Sequence, residues 1–323
     1  MILVDVLLCL IFLKLFLKVK VRRDKSTQCL VGKTTIVTGA NTGIGYWTAL
    51  EFAKRGAKVI IACRDRVQGE NAREKIIAAT GNANVRVVII DFRSLLSVRQ
   101  FASEIRSTET RLDILVNNAA AMKLGRKTTD DGFNVTMQVN YFGPYLLTIL
   151  LLDLMKRSAP SRIINVACVG VCSPHVNPKN LNDYPTGRCP EMVNYANSKL
   201  CLMLFTNELA RRLRRCEVTV NSVHPGAVDS NLLRNANCCL WSPVLLLKCL
   251  CFKTPEEGSQ TILHVALSEE ARNVSGRYFS NCKTEWKCFT PKDAYDSCLA
   301  RDVWETTEDL LHLTKYERVP NPY

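Results

Sequence analysis

The chain is short of histidine and has no regular cysteine framework, and each shortage closes off a kind of chemistry. Its four histidines, His175, His224, His264 and His312, are scattered over 323 residues and no paired C-x-x-C motifs accompany them, so no metal site is expected. The fifteen cysteines, among them Cys63, Cys168 and Cys201, fall inside apolar stretches without regular spacing. That pattern excludes a small secreted disulfide scaffold and reads as reduced, cytosol-facing thiols. There is no internal repeat and no low-complexity tract. The first apolar run lacks the leading positive charge and the small residues at a cut site that mark a cleaved signal peptide. Two glycosylation sequons, at Asn134 and Asn273, lie in or beside predicted regular elements and carry little weight.

What is present begins with a long apolar N-terminus. Residues 1–17 are apolar apart from Asp5 and Lys14, and Lys18, Lys20, Arg22, Arg23 and Lys25 follow at once. Crossing a bilayer takes about 20 apolar residues, so residues 1–19 read as a membrane anchor, either spanning or lying in the interface. The cations after it orient the body toward the cytosol, with residues 20–32 as a basic linker. The net charge of +13 is thereby assigned to a membrane surface and not to nucleic acid. A second cluster, Arg211 to Arg215 around Leu213, closes a predicted helix, where cations oppose the negative end of the helix dipole.

With 47% hydrophobic and 23% charged residues the chain can bury one large core. Short β-rich runs near 34–38, 58–62, 85–90, 112–116, 162–167, 217–223 and 276–280 alternate with helical stretches near 43–55, 67–80, 95–107, 130–157, 192–214 and 255–268. Runs such as Val59 to Ala62 and Val87 to Ile90 are continuously apolar, as strands covered on both faces must be. The expectation is one α/β domain over 33–285, doubly wound, with a mostly parallel seven-stranded sheet, and a C-terminal extension over 286–323. The insert at 231–253 is too apolar for a surface loop, and its stretch 238–252 reads as a lid over a lipophilic substrate that also meets the membrane, with a core helix as the alternative.

Chemistry concentrates where strands end. Thr38-Gly39-Ala40-Asn41-Thr42-Gly43-Ile44-Gly45 closes the first strand and opens a helix, placing glycines where backbone must approach a pyrophosphate and amides where an anion is held. Tyr195 and Lys199 stand four apart and share one helix face, where an ammonium lowers the pKa of a phenol and fits it to exchange a proton. These segments, with Asp91, Asn117-Asn118-Ala119-Ala120 and Pro225-Gly226, resemble the short-chain dehydrogenase/reductase family, which has a Rossmann fold. Ala62-Cys63-Arg64-Asp65, Ser222 to Gly226 and Gly276 to Ser280 are similar to its retinol dehydrogenase branch, and the likeness covers about residues 30–285.

That resemblance implies NADP(H) as cofactor, bound by Gly39, Asn41, Thr42, Gly43, Ile44, Gly45, Asn118, Ala119, Tyr195, Lys199, Pro225, Gly226, Val228 and Ser230. Arg64 would pair with the 2′-phosphate, Asp91 would receive the adenine amino group, and Asn117 would brace neighbouring strands. Catalysis would fall to Tyr195, Lys199 and Asn140, the last anchoring a relay water. One departure stands out, because Asn165-Val166-Ala167-Cys168 puts Cys168 where the family has a serine that hydrogen-bonds the substrate oxygen, and a thiol is a weak donor. The expected function is a reductase or dehydrogenase for a lipophilic alcohol or carbonyl such as a retinoid, on the endoplasmic reticulum membrane, with a weakened NADP(H)-binding sensor or scaffold as alternative. Homodimerisation through the helices at 130–157 and 192–214 is common in such enzymes, and an anchored member is alternatively a monomer.

Overall fold

The computed structural model describes residues 21–122, 124–168, 174–229, 252–284 and 290–320. The expected anchor at 1–19, Ser230 and the insert apart from its last two residues lie outside the described residues. Eight strands form one sheet: β1 (Thr34–Thr38), β2 (Lys58–Cys63), β3 (Val85–Ile89), β4 (Ile114–Asn117), β5 (Ser161–Val166), β6 (Val218–His224), β7 (Tyr278–Ser280) and β8 (Lys283–Thr284). Their order is β3-β2-β1-β4-β5-β6-β7-β8. The seven expected strands run parallel, and β8 adds an antiparallel edge of two residues that is too short to leave a sequence signal. From β1 the chain winds outward one way to β3, and from β4 the other way to β8. The crevice where strand order reverses therefore opens at the carboxyl ends of β1 and β4.

Among the described residues, seven helices of at least 12 residues surround the sheet: α1 (Gly43–Lys54), α2 (Arg66–Thr80), α3 (Leu95–Thr108), α4 (Gly143–Arg157), α5 (Pro190–Arg212), α6 (Pro255–Leu267) and α7 (Ser297–Leu310). Successive strand residues feed opposite cores, as the two-residue period of a strand requires. Ile36 and Ile60 join the core under α3, α4, α5 and α7, while Val37 and Ile61 join the one under α1, α2 and α6. Helix starts are fixed by side chains: Asp65 accepts from the Gln68 amide, and Thr254 with Glu257 makes a reciprocal cap for α6.

Three expectations need correcting. The helix expected over 130–157 begins only at Asn134, which accepts from the Thr136 and Met137 amides after an antiparallel bridge between Thr128 and Asn134. It then passes through a π-helical stretch, Gln138–Phe142, before α4. Val135–Arg157 is long and apolar enough to cross a membrane, yet 94% of its most apolar window is buried inside the fold, so it is a core helix.

The C-terminal segment is no appendage. Trp304 of α7 is 1% exposed, stacks on Phe205 of α5 at 5.6 Å and lies under the Arg212 guanidinium at 4.3 Å. Helix α7 thus occupies part of α5, one of the two helices expected in a homodimer. Residues 22–30 are likewise docked. The Arg22 amide donates to Asn281 Oδ1, the Asp24 amide to Gln260 Oε1 and the Ser26 hydroxyl to the Leu267 carbonyl, while Leu30 is buried. The basic linker is a strap laid along α6.

Candidate active site

At the reversal of strand order the backbone folds so closely that side chains would not fit. The Gly39 amide donates to the Ala62 carbonyl at 2.7 Å, and φ is +67° at Gly39 and +60° at Gly43. A Cβ on Gly45 would sit 2.5 Å from both the Gly39 carbonyl oxygen and Asn118 Nδ2, whereas one on Gly43 would meet nothing within 4 Å. The turn is therefore packed against Asn118 on its inner side and open at Gly43. Helix α1 has no acidic residue in its first turn to compete with an anion at its amides. Thr38 ties the two sides of the crevice, since its hydroxyl accepts from the Asn118 and Ala119 amides and its carbonyl from Asn118 Nδ2. A diphosphate fits this cradle.

Arg64 follows β2 with its side chain exposed; against the rise that burial brings, Arg93 above all, and Arg64 to a lesser degree, hold the Asp91 carboxyl below the ordinary carboxylate range. The Asp91 carboxylate already carries the Arg93 guanidinium, bonded at 2.6 and 3.1 Å, a partner the sequence reading did not include. Asn41 donates to Gln68 Oε1 across the crevice rim. On the far side Gly226 adopts φ +91°, and Val228 packs toward Ile44 and Gly258. Asn117 is buried and donates to Thr148 Oγ1 and Asn165 Oδ1, and Asn165 donates in turn to Thr206 Oγ1. It braces strands as expected.

Tyr195 and Lys199, on α5, are both buried, and their side chains converge on the end of β5. The Tyr195 phenol and the Cys168 thiol lie near enough to perturb one another, and Lys199 Nζ donates to the Val166 carbonyl at 2.8 Å. Asn140 sits in the π-helical stretch, where its side chain accepts from the Ala121 amide and donates to the Ala121 carbonyl and to Ser198 Oγ. Ser198 also donates to the Tyr195 carbonyl, so it couples Asn140 to the helix that carries Tyr195. Sequence reasoning missed this serine, although its place between Tyr195 and Lys199 was a usable signal.

The electrostatics differ from expectation. Lys199 was expected to lower the Tyr195 pKa, but burial pushes that phenol well above its usual value and the neighbouring thiol pushes it further. The Lys199 ammonium sits 5.7 Å from the Tyr195 ring centroid and is directed at a carbonyl, and its own pKa falls to about 8 through burial. Burial also raises the Cys168 thiol, with Lys199 and Tyr195 opposing the rise. Cys168 is thus a neutral thiol near pH 7 and not an activated nucleophile. A concavity of about 980 Å³ opens at the opposite ends of the strands between Lys33, Arg162 and Glu217, and none of these groups lines it.

A family model described as enoyl-(acyl carrier protein) reductase matches residues 39–277. Retinol dehydrogenase 13 of Mus musculus is 43% identical over 292 residues, covering 89% of this chain and 86% of that protein. Retinol dehydrogenase 11 of Homo sapiens is 42% identical over 291 residues, covering 89% and 88%. Among solved structures, an uncharacterized protein from Mycobacterium paratuberculosis superposes with a TM-score of 0.70 at 27% identity, over 91% of this chain and 97% of that one. RhlG of Pseudomonas aeruginosa, in an active-site complex with NADP, gives 0.62 at 26% identity, over 78% and 95%.

Proposed function

The chain belongs to the short-chain dehydrogenase/reductase family, as an oxidoreductase similar to the retinol dehydrogenases, and from that premise we propose an NADP(H)-dependent enzyme that reduces a lipophilic carbonyl of the retinoid kind. The observation that carries the proposal is the contact between Tyr195 and Cys168 at the end of β5, with Lys199 on the same helix face. NADPH, when bound, supplies the hydride. Tyr195 gives its hydroxyl proton to the carbonyl oxygen as negative charge develops there, and Cys168 hydrogen-bonds the same oxygen. Lys199 remains mostly cationic at pH 7 with a pKa of about 8, and its charge stabilises the phenolate left behind. A water at Asn140 returns the proton.

The glycine cradle and the α1 amides would hold the diphosphate, with Pro225, Gly226 and Val228 toward the nicotinamide. Arg64 takes the 2′-phosphate, being an exposed cation at the end of β2 with two parallel donors. Asp91 meets the adenine only if its carboxylate serves Arg93 and the amino group together. Residues 1–19 tether the protein to the endoplasmic reticulum membrane, with the domain in the cytosol.

Membranes bearing the protein should oxidise NADPH when offered retinal, medium-chain aldehydes or steroid ketones, and the Tyr195→Phe protein should not. A second reading rests on Cys168 standing in the serine's place, which weakens the hydrogen bond to the substrate oxygen. If NADPH binds and no carbonyl in the panel is reduced, the protein is a membrane-tethered NADP(H) sensor or scaffold.

A further inference from the structure

Lys253, beside this site, makes no ion pair among the described residues. Lys253 extends the backbone of the loop after β6: its amide donates to the Ala227 carbonyl at 2.7 Å and its carbonyl accepts from the Asp229 amide at 3.0 Å. That pairing, a parallel bridge with Val228, turns the lysine side chain back over Gly226. A Cβ at position 226 would lie 3.0 Å from Lys253 Cδ and Cε and 3.2 Å from Nζ, so the glycine makes room for the lysine. The side chain is half-buried, and no hydrogen bond or ion pair reaches its ammonium among the described residues. Burial lowers its pKa, with the charges of Cys282 and Glu257 opposing the shift. The Glu257 carboxylate is already committed to the Thr254 amide at 2.8 Å.

The group beside Lys253 is also unsatisfied. His224 Nδ1 is buried without a hydrogen-bond partner, and its ring stacks on Tyr278 at 6.5 Å between centroids. Burial and the Lys253 charge push the imidazole down to about 4, leaving it neutral near pH 7 and able to donate from one ring nitrogen. A half-buried ammonium without an anion is costly, and the cost disappears when a charged oxygen arrives. The position decides which oxygen. Val228, the bridge partner of Lys253, packs against Gly258 together with Ile44 of the glycine turn, which sets the loop carrying Lys253 beside the first turn of α1.

We propose that Lys253, with His224 beside it, is a phosphoryl-binding site that grips the cofactor's diphosphate beside the first turn of α1. This rests on the NADP(H) reading above. Arg64 governs which cofactor is preferred, whereas Lys253 adds the same affinity to either.

The test is a fluorescence titration of the detergent-solubilised full-length protein with NADPH, NADH and adenosine 2′-monophosphate, which has no diphosphate. Lys253→Met should weaken NADPH and NADH equally, by about tenfold or more, and leave adenosine 2′-monophosphate unchanged. Lys253→Arg should retain most of the affinity. Without cofactor, Lys253→Met should melt no lower than wild type, since it removes an unpaired buried charge. NADPH affinity within about twofold of wild type, or an equal loss for adenosine 2′-monophosphate, overturns the proposal. So does a Lys253→Met protein that no longer folds, because a counterion-free lysine should not be needed for folding. Flotation with phosphatidylcholine–phosphatidylserine vesicles separates the other phosphate source: if only vesicle binding falls, the site serves a lipid headgroup and the cofactor assignment is wrong. Failure of wild type to bind either nucleotide would instead sink the NADP(H) reading itself.

Discussion

Replacing Cys168 by serine and Tyr195 by phenylalanine pulls apart the two donors that the proposed reaction aims at one substrate oxygen. A donor aimed at a developing oxyanion is commonly worth about a hundredfold to a thousandfold in kcat. The thiol supplies a weaker and longer hydrogen bond than a hydroxyl, so wild type should sit below that ceiling. A net gain of about 0.5–1.5 kcal/mol from the better donor translates into a rise in kcat of up to about tenfold for Cys168→Ser. Cofactor affinity should not move, because the change adds and removes no charge. Tyr195→Phe removes the proton donor itself and should lower kcat by about a hundredfold or more. Its effect on stability should be small, since the phenylalanine ring fills the same buried space. The assay is NADPH oxidation against retinal, with nucleotide titration and thermal melting as controls on folding. Tyr195→Phe activity within about threefold of wild type would refute the reasoning. A Cys168→Ser protein that binds NADPH but loses a robust wild-type activity would show that the thiol has a role of its own.

Arg64→Asp should abolish or reverse the preference for NADPH over NADH, and equal affinity of wild type for both would sink the 2′-phosphate assignment. Deleting residues 1–20 should release much of the protein from membranes with NADPH binding intact; undiminished sedimentation with membranes would rule out the N-terminal run as principal anchor. The cut belongs there and not at residue 25, because Arg22 and Asp24 are bonded to Asn281 and Gln260. His224, with its pKa depressed to about 4, disfavours the protonated form in the fold, so stability should be lost as pH falls from about 6.5 toward 4. A His224→Gln protein whose melting temperature falls just as steeply over that window would refute this. Trp304→Ala should cost about 3–5 kcal/mol in denaturant unfolding, and a loss below about 1 kcal/mol would deny α7 its place in the core.

The parallel strands were legible because burial on both faces writes itself as unbroken apolar runs, as in Val59 to Ala62. The start of the long helix was not legible. Residues 128–133 are a turn closed by Asn134, but their composition merges into the apolar run that follows, and a π-helical stretch has no sequence signature. Helix α7 was passed over as extension because its buried residues, Ala300, Val303, Trp304, Thr307 and Glu308, are spread among charged and polar neighbours. In the site, the spacing of Tyr195 and Lys199 and the alignment of Cys168 sufficed to bring all three to the end of β5. What the spacing could not reveal was direction: Lys199 points at the Val166 carbonyl, Arg93 covers Asp91, and Lys253, read as the tail of an apolar insert, folds back over Gly226.

Because Trp304 follows every strand in the sequence and packs on Tyr145 of α4 and Phe205 of α5, the outer sides of those two helices stay uncovered until α7 has been made. Domains form from the N-terminus as the chain emerges, and this one withholds its closing piece. Helices α4 and α5 must therefore wait with apolar surface uncovered, Tyr145 and Phe205 included. A message cut short before α7 would yield a chain with every site residue and no settled core, a substrate for quality control instead of a weak enzyme.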